Sequence, residues 1–138
     1  MTKLILLGAA ALALTVTAAA AEVEFIESAN FMLPGCRSFV DHKTDNPDRQ
    51  GLCLGTIRGL NHEGMLARIL LGLARKNGET GSTLEVLRTS LCINHPVEVT
   101  NGQMARVVTN YIESHPARMH EDFAVLALEA LQAAWPCQ

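Results

Sequence analysis

Thr100-Asn-Gly-Gln103-Met104-Ala-Arg-Val107-Val108-Thr-Asn-Tyr111-Ile112-Glu-Ser-His115-Pro116 is the stretch on which the fold turns. Thr100 stands three residues before Gln103, the spacing of a capping box, so a helix starts there. Met104, Val107, Val108, Tyr111 and Ile112 recur at i, i+3, i+4, i+7 and i+8, which puts them on one face. His115-Pro116 stops the helix, because a residue before proline avoids the α region. A further helix, starting near Pro116 or Glu121 and ending at Trp135, carries Phe123, Leu126, Ala127, Ala130, Leu131 and Ala134 on its apolar face. Pro136 ends it. A short turn joins the two helices, which makes them antiparallel neighbours.

The preceding sequence has the same character. Leu52, Ile57, Leu60, Met65, Leu66, Ile69, Leu70 and Leu73 recur at helical spacing and predict a long helix over 47–76. Asn46 suits its N-cap, Pro47 the first helical position, and Asp48 the positive end of the dipole. Gly51, Gly55 and Gly59 line one face, as if another element approached the backbone there. The alternative is a break over Asn61–Gly64. Asn77-Gly78 suits a helix C-terminus. Ser82 and Glu85 have capping-box spacing before a short helix over 83–90 that would bury Leu84 and Leu87. Pro96 keeps Ile93–Val99 from being helical. A first helix is expected from Gly35 or Cys36, after a lead over 22–34, with a polar loop at 41–48. With β-branched runs scarce, the chain reads as all-α, a small disulfide-linked bundle of about four to five helices.

The chain opens as an export signal. Lys3 supplies the basic start, residues 4–16 are almost wholly apolar, and Ala18–Ala21 are small enough for signal peptidase. Cleavage is expected after Ala21, with Ala20 as the neighbouring choice, giving residues 1–21 as leader and 22–138 as one domain. The apolar run is short for a membrane span, and no cysteine at the cut could carry a lipid. The leader looks bacterial, which implies a periplasmic or extracellular protein without a membrane anchor.

Composition narrows the partners. The whole chain has 11 Lys and Arg against 14 Asp and Glu, and Lys3 leaves with the leader. This mild acidity argues against nucleic acid or an anionic membrane. The aromatic residues Phe25, Phe31, Phe39, Tyr111, Phe123 and Trp135 form no stacking platform in sequence.

Four cysteines in a small exported domain point to two disulfides, and three pairings exist. The helix boundaries favour Cys36–Cys53 with Cys92–Cys137. Cys92 precedes, and Cys137 follows, the antiparallel helix pair at the end away from its turn. Cys36 and Cys53 flank a smaller hairpin. Without a CxxC motif, a reactive thiol is not expected.

Catalytic motifs are scarce in this sequence. His62-Glu63 begins like HExxH, but position 66 is Leu66, which excludes a zincin site. His115 and His120, with Glu121 and Asp122, flank a turn that reads as solvated rather than metal-binding. No serine has a GxSxG context, and adjacent carboxylates at Glu121-Asp122 do not face one another on a helix. The expectation is a non-enzymatic binding protein with no cofactor and no metal.

An ordered set of segments carries a resemblance. They are Phe31-Met-Leu-Pro-Gly-Cys36, Gly51-Leu-Cys53-Leu-Gly55, Leu91-Cys92-Ile93, the stretch Val99–Val108, Tyr111–Pro116, His120–Leu131 and Trp135-Pro136-Cys137. Together they resemble the Tai-type, or Rap-type, immunity proteins of type VI secretion. The resemblance implies a small periplasmic, disulfide-bonded helical protein that binds a peptidoglycan amidase toxin and occludes its cleft, often as a homodimer. Contact residues would then sit on exposed loops. The turn carrying Glu113, His115, Arg118, Met119 and His120 is one candidate, and the loop Lys76–Ser82 is the other. The competing expectation is a stand-alone periplasmic binding protein or acid-stress chaperone of similar fold.

Overall fold

The structure, a computed structural model, describes residues 25–137. The expected leader, residues 1–21, lies outside the described residues. Among the described residues five α-helices follow one another: α1 (Ala29–Val40), α2 (Pro47–Lys76), α3 (Ser82–Ser90), α4 (Asn101–Ser114) and α5 (Phe123–Ala134), with a 3-10 turn at Pro116–Arg118 between the last two. Among the described residues there is no strand, only one isolated bridge between Ser28 and Asp122. The all-α reading therefore holds.

The core is built where α1, α2, α4 and α5 meet. Leu33, Ile57, Ile93, Met104, Val108, Ile112, Phe123, Leu126 and Leu131 are fully buried in one cluster. The α4 stripe points inward as its spacing requires, with Val107 and Tyr111 at the rim. The capping box forms as expected. Thr100 Oγ1 accepts from Gln103 N at 3.2 Å, and Gln103 Oε1 accepts from Thr100 N at 2.8 Å. Asp122 caps α5 through Ala124 N and Val125 N. Of the α5 face, Phe123, Leu126, Ala127, Ala130 and Leu131 are buried, while Ala134 is exposed.

Both disulfides have the favoured pairing. Cys36–Cys53 joins α1 to α2 with 5.5 Å between Cα atoms, and Cys92–Cys137 closes the α4–α5 pair at its far end with 5.9 Å. Beside the second bridge, Asn94 N donates to Trp135 O at 2.9 Å, so the end of α5 is held twice.

Several local expectations are corrected. Helix α1 starts at Ala29, six residues before Gly35, and holds Pro34 inside it. Ser28 Oγ accepts from Phe31 N and starts the helix. Pro34 removes one backbone hydrogen bond, but the burial of Met32, Leu33 and Cys36 around it sustains the helix. Asn46 precedes α2 in the left-handed region, φ 57°, and makes no side-chain cap. Ser82 is the first residue of α3, so the Ser82–Glu85 box does not form; Gly81 is the N-cap. Leu84 and Leu87 are only half-buried.

Helix α2 runs unbroken through Asn61–Gly64. The close approaches fall at other glycines than expected. Among the described residues nothing comes within 4 Å of where a Cβ would stand at Gly51, Gly55 or Gly59. Gly64 packs against Ile93, and Gly35 against the Arg49 backbone.

Candidate partner-binding surfaces

The turn between α4 and α5 is rigid because the chain on both sides is tied down. Met119 O accepts from Asn30 N, Glu121 O from Ala29 N, and Phe123 N donates to Glu27 O, at 2.7–2.9 Å. The start of α1 is thus stitched to the turn. Arg118 fixes it from the other side. Its guanidinium donates to both oxygens of Glu121 (2.7 and 2.9 Å) and both of Glu129 (2.6 and 3.1 Å). Tyr111 Oη adds a hydrogen bond to Glu129 at 3.0 Å.

This network shifts its members in the directions its charges dictate. The Arg118 hydrogen bonds hold the Glu121 and Glu129 carboxyls below the usual glutamate range. Burial, with the Glu129 contact, pushes the Tyr111 phenol up. The same two carboxylates, Glu121 first, raise Arg118.

The five candidate contact residues therefore differ in their surroundings. Glu113 is exposed but pairs with Arg37 of α1 at 2.5 Å. His115 is half-buried, stacked on Tyr111 with ring centroids 4.3 Å apart. Arg118 is engaged by its two glutamates, and Met119 packs against the core. His120 is exposed. Among the described residues no three His, Cys, Asp or Glu side chains group to hold a metal ion.

A second surface was not legible as such in the sequence. The inward face of α2 is Cys53, Ile57, Gly64, Ala67 and Ala74, with Leu60 and Leu71 half-buried. Of the apolar residues that predicted the helix, Ile57 alone is buried. Leu66, Ile69 and Leu73 lie on the opposite face and Leu52 and Leu70 on its flank, all 50–56% exposed. Gly55 and Gly59 are the bare part of that face. Leu52 to Leu73 spans about 30 Å at 1.5 Å per residue. At its N-terminal end Leu52 and Thr56 join Ile26 and Ala124 in a groove. A helix apolar on two faces has one face too many for a monomer.

A third feature is a cleft of about 630 Å³ beside the loop Lys76–Ser82, between α2 and α3. Arg68, Arg75 and Arg88 line it, together with the Cys92–Cys137 bridge. Those arginines lie up to twenty positions apart, and nothing in their spacing announces that they meet.

These features define a small, disulfide-braced helical protein. Residues 28–137 match the family model of the Rap1a immunity proteins, and the chain belongs to that family. The match begins at the Ser28 cap of α1 and ends at Cys137, so it covers the folded body. An immunity protein works by binding a toxin partner. No curated protein and no solved structure matches the chain.

Proposed function

We propose that this chain is a periplasmic immunity protein that binds a cell-wall amidase toxin of type VI secretion and occludes its cleft without doing chemistry itself. Membership of the Rap1a immunity family supports the toxin-binding part. The export signal read at residues 1–21 and two disulfides support the periplasm. The observation that carries a protein partner is the uncovered apolar face of α2. Its leucines lose hydrophobic free energy in water that only another macromolecule restores.

We assign that face to a second copy of the chain. A two-fold interface needs one self-complementary surface. Bare backbone at Gly55 and Gly59, flanked by Leu52 and Leu66, lets a partner helix approach closely. The toxin is then met by the α4–α5 turn, whose rigidity spares the ordering cost of binding.

The test is a periplasmic pull-down and a protection assay against a co-expressed amidase toxin. Glu113→Ala with His120→Ala should abolish protection while costing no more stability than the about 0–1 kcal/mol of the exposed Arg37–Glu113 pair. Leu70→Glu should convert a dimer to a folded monomer in light scattering. Failure to capture any wall hydrolase would sink the functional reading. An acid-stress chaperone draws on the same α2 face. It would bind an apolar dye only after mild acid releases the pair, whereas an immunity protein shows no such step.

A further inference from the structure

The cleft between α2 and α3 lies at the end of the molecule away from the α4–α5 turn, beside Cys92 and Cys137. Its two walls carry three guanidinium groups. Arg68 and Arg75 come from α2, seven residues apart, and Arg88 comes from α3.

These cations are unequally satisfied. Arg88 is held within α3 by Glu85, at 2.6 and 3.0 Å. Among the described residues Arg68 has only neutral, long contacts, to Asn94 Oδ1 at 3.3 Å and His95 O at 3.5 Å. Arg75 is exposed and makes no ion pair among the described residues. Glu79 lines the cleft as well and Glu85 pairs with Arg88, so three positive charges stand against two negative ones. The cleft is thus net positive on a chain whose formal charge is −3. Between the arginines Leu71, Leu84 and the disulfide supply apolar surface, beside the polar Thr80 and Asn94.

We propose that this cleft binds an acidic, aliphatic segment of a protein partner, with its carboxylates taken by Arg75 and Arg68. Guanidinium forks suit carboxylates because two parallel N–H groups meet two oxygens. The size agrees with a peptide segment. About 630 Å³ lies in the range of pockets for drug-sized ligands, roughly 300–1,000 Å³. A lone phosphate would leave the Leu71 and Leu84 surface uncovered. Helix α3 buries no residue and packs chiefly on α2. A bound carboxylate therefore ties down the least anchored element of the bundle.

The inference rests on the reading of the chain as a protein-binding module, not on which toxin it meets. It is tested without the toxin. The mature chain is titrated by NMR with acetyl-Leu-Glu-Asp-Leu-amide and with its isostere acetyl-Leu-Gln-Asn-Leu-amide. The acidic peptide should shift the Arg68, Arg75 and α3 signals and slow α3 amide exchange, and the neutral one should not. Arg75→Gln should weaken the acidic peptide about tenfold, the scale of one charge-assisted contact. Arg106→Gln, on exposed α4 surface, should leave it unchanged.

Equal binding of the two peptides, no binding of either, or tighter binding of inorganic phosphate would each overturn the proposal. Acidic-peptide binding lost in Arg75→Gln, in a chain that captures no wall hydrolase, keeps this inference and removes the immunity reading. Hydrolase capture by a chain that ignores the acidic peptide does the reverse.

Discussion

Replacing Gly35 by alanine should unfold this protein more readily, although alanine is the better helix former. Gly35 is where α1 meets the backbone of α2. An added methyl would stand 2.6 Å from Arg49 Cβ and closer still to the Arg49 carbonyl group. Carbon atoms in contact prefer about 3.5–4.0 Å, so the helices must separate by roughly 1 Å. The atoms opposite are mostly backbone and cannot swing away. The Cys36–Cys53 bridge, one residue further on, ties the same two helices together with 5.5 Å between Cα atoms. Overpacking of this kind costs about 3 kcal/mol, the upper part of its usual range. Helix propensity returns about 1 kcal/mol. The expected net loss is about 2 kcal/mol, or roughly 8 °C in melting temperature for a domain of this size.

Gly59→Ala is the matched control. It sits in the middle of α2 with nothing within 4 Å of its would-be Cβ, so propensity acts alone and should add about 1 kcal/mol to the monomer. Urea denaturation of the oxidised chain, followed by far-ultraviolet circular dichroism, measures both. Two chain concentrations separate monomer stability from pairing through α2. Gly35→Ala at or above wild-type stability would refute the reasoning, as would equal losses at the two glycines.

The two disulfides should respond differently to reductant and to mutation. Their sequence separations of 17 and 45 give about 3 and 4 kcal/mol in the loop-entropy picture. Cys36 and Cys53 are both fully buried, whereas Cys137 is partly exposed at the cleft. Graded dithiothreitol followed by thiol labelling and mass spectrometry should open Cys92–Cys137 first; the reverse order would contradict the burial argument. Acid should weaken the turn between α4 and α5. Glu129 has a lowered carboxyl pKa in the folded chain, so its contribution is complete above the ordinary glutamate value of about 4.3 and fades as pH falls through the folded value. Glu129→Gln should flatten the fall in urea stability between about pH 5 and 3. An unchanged pH slope would mean that Arg118 does not couple to Glu129.

Features that depend on near neighbours along the chain were legible without the fold. The capping box at Thr100 and Gln103, the apolar stripe of α4 and the stop at Pro116 each lie within a few turns of helix. They fixed the α4–α5 pair, and that pair brought Cys92 to Cys137. The span of α2 was legible for the same reason. Family membership also lay in ordered short segments, all within the Rap1a match over residues 28–137.

What needed the tertiary structure was the choice between alternatives that are locally equal. Helix α2 is apolar on two faces, and its spacing does not say which one meets the core. Packing chose the side of Cys53, Ile57, Gly64 and Ala67, because small residues there let Ile93 and the neighbouring helices close in. That choice left Leu66, Ile69, Leu70 and Leu73 outside. The glycine reading failed likewise, since bare backbone marks a close approach only where a partner element arrives. Helix α1 continues through Pro34 because burial outweighs one lost hydrogen bond. Arg68, Arg75 and Arg88 became neighbours only when α3 folded back along α2, a contact that no periodicity along the chain encodes.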